Sequence, residues 1–243
     1  EVSDRADRQW FLSAYKTKNF LEKINNNRVI LYVGNDNWPF PFPLIKKGNA
    51  WSFDSEEGRE ELLNRRIGRN ELRVMETMEA YVAAQREYAG KDRTGNGIHA
   101  YAQKLMSTSG KKDGLYWQAK EGEEESPLGP LVAMAAREGY TGKTKKQAPF
   151  HGYYFKILTG QGKHAPGGAY DYIIKGNMIL GFGLLAYPAK YGYSGIMTFI
   201  VNQQGAVYQK DLGKKTTKVA AGIQKYDPDE TWQKIGSKVG DIR

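Results

Sequence analysis

The chain has 243 residues, no cysteine, 40% hydrophobic and 12% aromatic residues, and 36 Lys and Arg against 27 Asp and Glu, a formal charge of +9. That length holds one large or two modest domains with ample core, and the missing thiols exclude disulfides, thiolate metal sites and cysteine nucleophiles. No apolar run approaches the roughly 18 residues of a membrane span, while the positive balance favours acidic partners such as nucleic acid, anionic polysaccharide or a membrane surface.

Residues 4–22 place Ala6, Trp10, Phe11, Ala14 and Tyr15 at helical spacing, with Asp4 and Asp7 suited to the positive first turn, and predict a helix. The chain opens within the approach to that helix and shows no signal peptide, so a processed or incomplete beginning is expected. Residues 28–33, Arg-Val-Ile-Leu-Tyr-Val, read as a strand, and Gly34-Asn-Asp-Asn37 as a turn. Trp38-Pro-Phe-Pro-Phe-Pro43 alternates aromatics with prolines, which lack a ladder donor, so it is expected as an extended edge or loop. Residues 43–47 and 50–53, flanking Gly48-Asn49, form a hairpin candidate.

Asp54 and Ser55 are helix caps ahead of an acidic first turn. Leu62, Leu63, Ile67, Leu72, Met75, Met78, Val82 and Ala89 then recur mostly three to five residues apart, predicting a helix of thirty-odd residues with Gly68 as its interruption point. At 1.5 Å per residue it extends about 50 Å and needs a sheet or a partner to lie against. A loop at 90–97, a short helix at 98–106, an irregular polar stretch at 107–126 and a helix from Ser126-Pro127 to Glu138 follow. Lys143-Thr-Lys-Lys146 is a compact basic group in a loop.

From residue 150 to 212 the pattern changes to short β-branched and aromatic runs joined by Gly-rich turns, at 152–158, 169–175, 178–187, 195–201 and 206–210. Such spacing describes an antiparallel meander. A helix over 215–225 and an end around Trp232 close the chain. The expected fold class is α+β: a small N-terminal α+β unit, residues 1–66, then a long helix packed on a four- to five-stranded antiparallel sheet, residues 67–243.

No catalytic, cofactor or metal constellation emerges from spacing. His99, His151 and His164 are far apart, and no G-x-S-x-G nucleophile elbow occurs. Asp92, Thr94 and Asn96 match the first alternating oxygens of a calcium loop, but position twelve is Gln103 in place of a carboxylate, so an Asn-Gly turn is the better fit. Gly160-Gln-Gly-Lys-His-Ala-Pro-Gly-Gly168 precedes a strand where a phosphate-binding loop would open a helix. Tyr153, Tyr170, Tyr172, Tyr187 and Tyr191 would stack on sugars or bases if they faced outward.

Several segments together resemble the bacterial family called domain of unknown function 2950: Gly34-Asn-Asp-Asn-Trp-Pro-Phe-Pro-Phe-Pro-Leu44, Leu63-Asn-Arg-Arg-Ile-Gly-Arg-Asn-Glu-Leu72, Asp113-Gly-Leu-Tyr-Trp117, His151-Gly-Tyr-Tyr-Phe155 and Met197-Thr-Phe-Ile-Val-Asn-Gln203. The resemblance covers nearly the whole chain and implies a periplasmic or extracellular protein, with no activity attached. Within it, Tyr81, Gln85 and Tyr88 on a helix, then Gly152-Tyr-Tyr-Phe155 and Phe199-Ile-Val-Asn-Gln-Gln-Gly-Ala-Val-Tyr208, are similar to the globular part of type IV pilins and pseudopilins. No pilin stalk precedes the helix here.

The expected function is a non-enzymatic exported assembly or interaction component, a filament subunit being one form, with protein partners that include other copies of the chain. Trp38, Pro39, Phe40, Pro41 and Phe42 are the candidate contact residues, because an exposed edge templates addition of another chain. A binding module for anionic polymer is the alternative, and an enzyme built on His151, His164 and Asp171 the third.

Overall fold

A computed structural model of the chain describes residues 2–93, 95–137 and 149–236, with side chains from residue 8 in the first stretch and to residue 133 in the second. Two units are present, Glu1–Arg66 and Ile67–Arg243. Both combine helices with antiparallel sheet, so the class is α+β.

In the first unit helix α1 runs Val2–Thr17 and stops earlier than its apolar spacing suggested. Its last carbonyls are taken by Lys18 N–H and the Asn19 amide, which bond the Ala14 and Tyr15 oxygens. Residues expected to finish the helix instead form strand β1, Asn19–Asn25, paired with β2, Arg28–Val33. The cause is the Asn26-Asn27 turn, braced by Asn25 Oδ1, which accepts from Asn27 N–H. Strand β3, Trp38–Pro39, pairs with the end of β2, and β4, Leu44–Lys47, with its start; β5, Ala50–Phe53, pairs with β4. Gly34 and Asn37 take positive φ in the turn between β2 and β3, a conformation suited to Gly and Asn.

Helix α2, Ser55–Ala89, begins at Asp54, whose Oδ1 accepts from Glu56 and Glu57 N–H. It runs unbroken through Gly68, because one glycine costs only about 1 kcal/mol against alanine in a helix interior.

In the second unit five strands form one sheet in the order β14-β13-β12-β11-β6. Their ranges are β6 Tyr153–Leu158, β11 Gly183–Pro188, β12 Met197–Asn202, β13 Tyr208–Asp211 and β14 Gln233–Lys234. The alternation of β11 and β12 splits the core in two. Leu184, Ala186, Phe199 and Val201 face Val74, Met78, Tyr81 and Val82 of α2, while Leu185 and Ile200 face Ala220, Tyr226 and the half-buried Trp232. A near-continuous apolar strand is what a sheet covered on both faces requires. Helix α4, Thr216–Gly222, follows a 3₁₀ turn, Gly213–Lys215, and supplies part of the second cover. The fifth strand comes from the tail near Trp232. The expected strand at 169–175 forms only short ladders: β7 (Gly160–Gln161) with β8 (Tyr170–Asp171), and β9 (Ile173–Ile174) with β10 (Asn177–Met178).

Residues 98–106 are irregular, not helical, because their backbone groups are claimed from outside. Gln85 Oε1 accepts from Ala102 N–H at 2.8 Å, Gln85 Nε2 donates to Ala102 O at 2.8 Å, and Tyr101 N–H bonds Met178 O. Helix α3 runs Gly129–Arg137, starting two residues after Pro127. The basic group at 143–146 lies outside the described residues.

Candidate interaction surface

The first unit carries apolar residues on both faces of its sheet without burying them. Phe20 stands opposite Tyr32 on one face and Leu21 opposite Leu31 on the other, and β2 is apolar on both sides. Yet the buried residues among the described ones here are Val33, Pro41, Pro43 and Gly58 alone. Of the 16 large apolar side chains exposed among the described residues, nine belong to this unit, which is about a quarter of the chain. Singly scattered apolar residues need no explanation, whereas a concentration on one small unit makes that unit the candidate interaction surface.

Two edges carry much of it. Strand β1 is exposed at all seven residues, with Leu21 61% and Ile24 48% accessible, and β5 is exposed at all four, with Trp51 45% and Phe53 52%. They are the two ends of the β1-β2-β4-β5 path, so each has a side unpaired among the described residues. A register shift between Lys23 and Asn25 bulges β1 near Ile24. Glu22 stands beside the Tyr32 hydroxyl and raises the phenol's pKa.

Trp38, Pro39, Phe40, Pro41 and Phe42 sit between surface and core. Pro41 is buried and the other four are half-buried. Trp38 meets Trp10 edge-on at 5.2 Å, and Phe40 contacts Phe11, Phe42 and Phe53 at 5.1 to 5.7 Å. Phe42 is pressed against α2 at Gly58, where an added Cβ would lie 2.0 Å from its ring. The segment thus packs much of its aromatic surface inward. On its open side it forms one wall of a cleft of about 390 Å³ with Arg28 and Ile30 of β2 and with Glu57, Glu61 and Arg65 of α2. Arg28 forks onto Glu57 through both terminal nitrogens. That hydrogen-bonded pairing raises the arginine's pKa and lowers the glutamate's, so both stay charged at neutral pH.

A family model described as Protein of unknown function (DUF2950) matches residues 1–235. The chain belongs to the DUF2950 family. No curated protein and no solved structure matches it.

Elsewhere in this DUF2950 chain the residues singled out from sequence take separate partners. His164 Nδ1 lies 3.1 Å from Asp227 Oδ1, and Asp171 accepts from Lys225 Nζ at 3.0 Å. His151 is buried against Phe150, ring centroids 4.0 Å apart, with a left-handed backbone. Both oxygens of Asp92 point back at the loop, accepting from Gly95 and Gly97 N–H, while Asn96 Oδ1 accepts from Ile98 N–H. Those groups are therefore committed to turn formation; Thr94 lies outside the described residues. Among the tyrosines proposed for stacking, Tyr153 and Tyr172 are wholly buried, and burial drives both phenols to high pKa.

Sequence reading missed β1, the most exposed strand of the unit. The signal was present in Asn25-Asn-Asn27, a turn that makes residues 19–25 and 28–33 a hairpin. Helical spacing of the residues before it masked that reading.

Proposed function

We propose that the DUF2950 chain is a non-enzymatic assembly component that works at the bacterial envelope or outside the cell, adding strands through the two open edges of its N-terminal sheet. The observation that carries this reading is that β1 and β5 end one sheet, are wholly exposed, and bear Phe20, Leu21, Ile24, Trp51 and Phe53. Unpaired edge amides and carbonyls template a further strand, and natural edges that must stay free are kept short, charged or covered. Two different edges joined head to tail generate an open chain of subunits, the geometry of a filament. The long helix on an antiparallel sheet in the second unit supports the likeness to the globular part of pilins. An anionic-polymer module has less support, because Arg28, Lys91, Arg93, Lys104 and Lys112 are each turned toward a carboxylate.

Light scattering over a concentration series, with electron microscopy of the concentrated sample, tests the reading. The native chain is expected to grow in mass with concentration, and Leu21→Lys or Trp51→Lys to hold it monomeric by placing a charge on one edge. A strictly monomeric native chain throughout the series would sink the proposal.

A further inference from the structure

We infer that the cleft between Pro39–Pro43, β2 and the first turns of α2 binds a small neutral polyhydroxylated ligand, a mono- or disaccharide. Its volume of about 390 Å³ falls within the range of small-molecule sites. The most telling group is Arg65. Its guanidinium lies 4.8 Å from the Trp38 ring centroid and its Nε donates to Glu61 Oε1 at 2.7 Å, so the plane is fixed from two sides. Its Nη1 is buried and finds no acceptor among the described residues. A buried donor is seldom left unpaired, and since Arg65 lines the cleft, a small shift of its side chain would bring this nitrogen to a ligand oxygen there.

Acceptors stand within the same lining. Glu60 and Asn64 line the cleft from α2, are exposed, and their side chains make no hydrogen bond or ion pair within the described residues. A hydroxyl accepts and donates at once, so a lining that offers an arginine N–H beside free carboxylate and amide oxygens matches it group for group. Two arginines against Glu57, Glu60 and Glu61 leave one net negative charge in the cleft, which disfavours an anion. Prolines 39, 41 and 43 have no N–H, so this wall offers few ladder donors to a peptide backbone. What it does offer is apolar C–H surface from the prolines and from the half-buried Phe40, against which a sugar ring would pack. This site lies within one unit and does not depend on self-association.

The test is NMR titration of the full chain with maltose, sucrose and N-acetylglucosamine, following the Arg65 Nε–H and Trp38 indole resonances. Glucuronate and a blocked proline-rich peptide serve as the rival probes. At least one neutral sugar is expected to shift both resonances saturably, with a Kd on the order of 1 mM or tighter. Arg65→Lys keeps the charge but removes the fork, and is expected to weaken binding about tenfold, a difference of about 1.4 kcal/mol. Glu60→Gln removes only a surface acceptor charge and is expected to weaken it several-fold with the thermal midpoint unchanged. Should Arg65→Lys fail to fold, Glu60→Gln decides. No shift with any sugar, a saturable response to glucuronate or peptide alone, or sugar binding indifferent to Glu60→Gln would each overturn the inference.

Discussion

Removing the Gln85 amide tests the central argument about how the second unit is locked. Gln85 is fully buried in α2, and its side chain closes a ring with Ala102, accepting from the N–H and donating to the C=O at 2.8 Å each. The same nitrogen lies 3.0 Å from the Tyr81 hydroxyl, which donates to Gly183 O at 3.0 Å. Ala102 is itself 1% exposed, so Gln85→Ala strands one backbone donor and one acceptor away from water. Each stranded group costs about 1–3 kcal/mol, and the small cavity adds to that, giving a loss of about 3–5 kcal/mol. The assay is urea unfolding of the second unit's transition, read as a shift in midpoint at constant slope. Gln85→Glu refines it. That change keeps the acceptor for Ala102 N–H but sets a carboxylate against Ala102 O, so the introduced acid has a raised folded pKa. Its neutral form then donates as the amide did: the variant is most stable below about pH 4, the unfolded value, and loses stability as pH rises through the folded one. A loss under about 1 kcal/mol for Gln85→Ala, or Gln85→Glu equal to the native chain at neutral pH, would refute the reasoning.

Two further outcomes follow from the same accounting. Glu71 Oε1 accepts from Ile196 and Met197 N–H at 2.8 and 3.0 Å, tying α2 to the start of β12, so Glu71→Ala should cost about 2 kcal/mol and speed hydrogen exchange at both amides. Unchanged exchange there would show that the tie is dispensable. Glu124 binds Arg93, Lys91 and Lys112, and hydrogen bonding from Arg93 first, then Lys91, holds its carboxyl down to about 2. A depressed folded pKa means the contribution is present above about pH 4.5 and fades as pH falls toward 2. With a third of the Glu124 side chain exposed, screening leaves about 1 kcal/mol, which Glu124→Gln should remove together with this part of the acid sensitivity. Parallel pH–stability curves for the native chain and the variant would contradict it.

How much of this was legible in sequence depends on where the decisive contacts come from. The long helix announced itself because its cap and its apolar spacing are both local, and the strands of the second unit because both of their faces are buried. Residues 98–106 have adequate helical spacing but are irregular, because Gln85 and Met178 claim their backbone from far along the chain. Nothing local encodes that. Gly68 erred in the other direction, since a glycine breaks a helix only where packing fails to hold it. Trp38–Phe42 was recognisable as a non-central strand from its prolines, but its inward packing depends on Gly58, sixteen residues beyond Phe42 and unremarkable in sequence. The orphaned Arg65 donor depends on a ring, a carboxylate and a cleft that meet only in three dimensions.

The two units differ in how completely they bury their apolar residues, and that difference supports the role proposed for the first. In the second, both faces of β11 and β12 are covered, and Tyr81, Gln85 and Tyr88 spend their polar groups on backbone at Gly183, Ala102 and Lys112. Those polar groups are committed inside the core. The first unit buries four described residues and leaves Leu21, Ile24, Trp51 and Phe53 in water on opposite edges of one sheet. A sheet of that size gains little from its own core. Any strand that docks on β1 or β5 therefore adds a substantial fraction of the unit's stability, and mass action couples folding to occupancy. Charge on Leu21 or Trp51 should abolish growth in mass while leaving the Gln85 lock untouched, because none of the contacts of that lock involves the first unit.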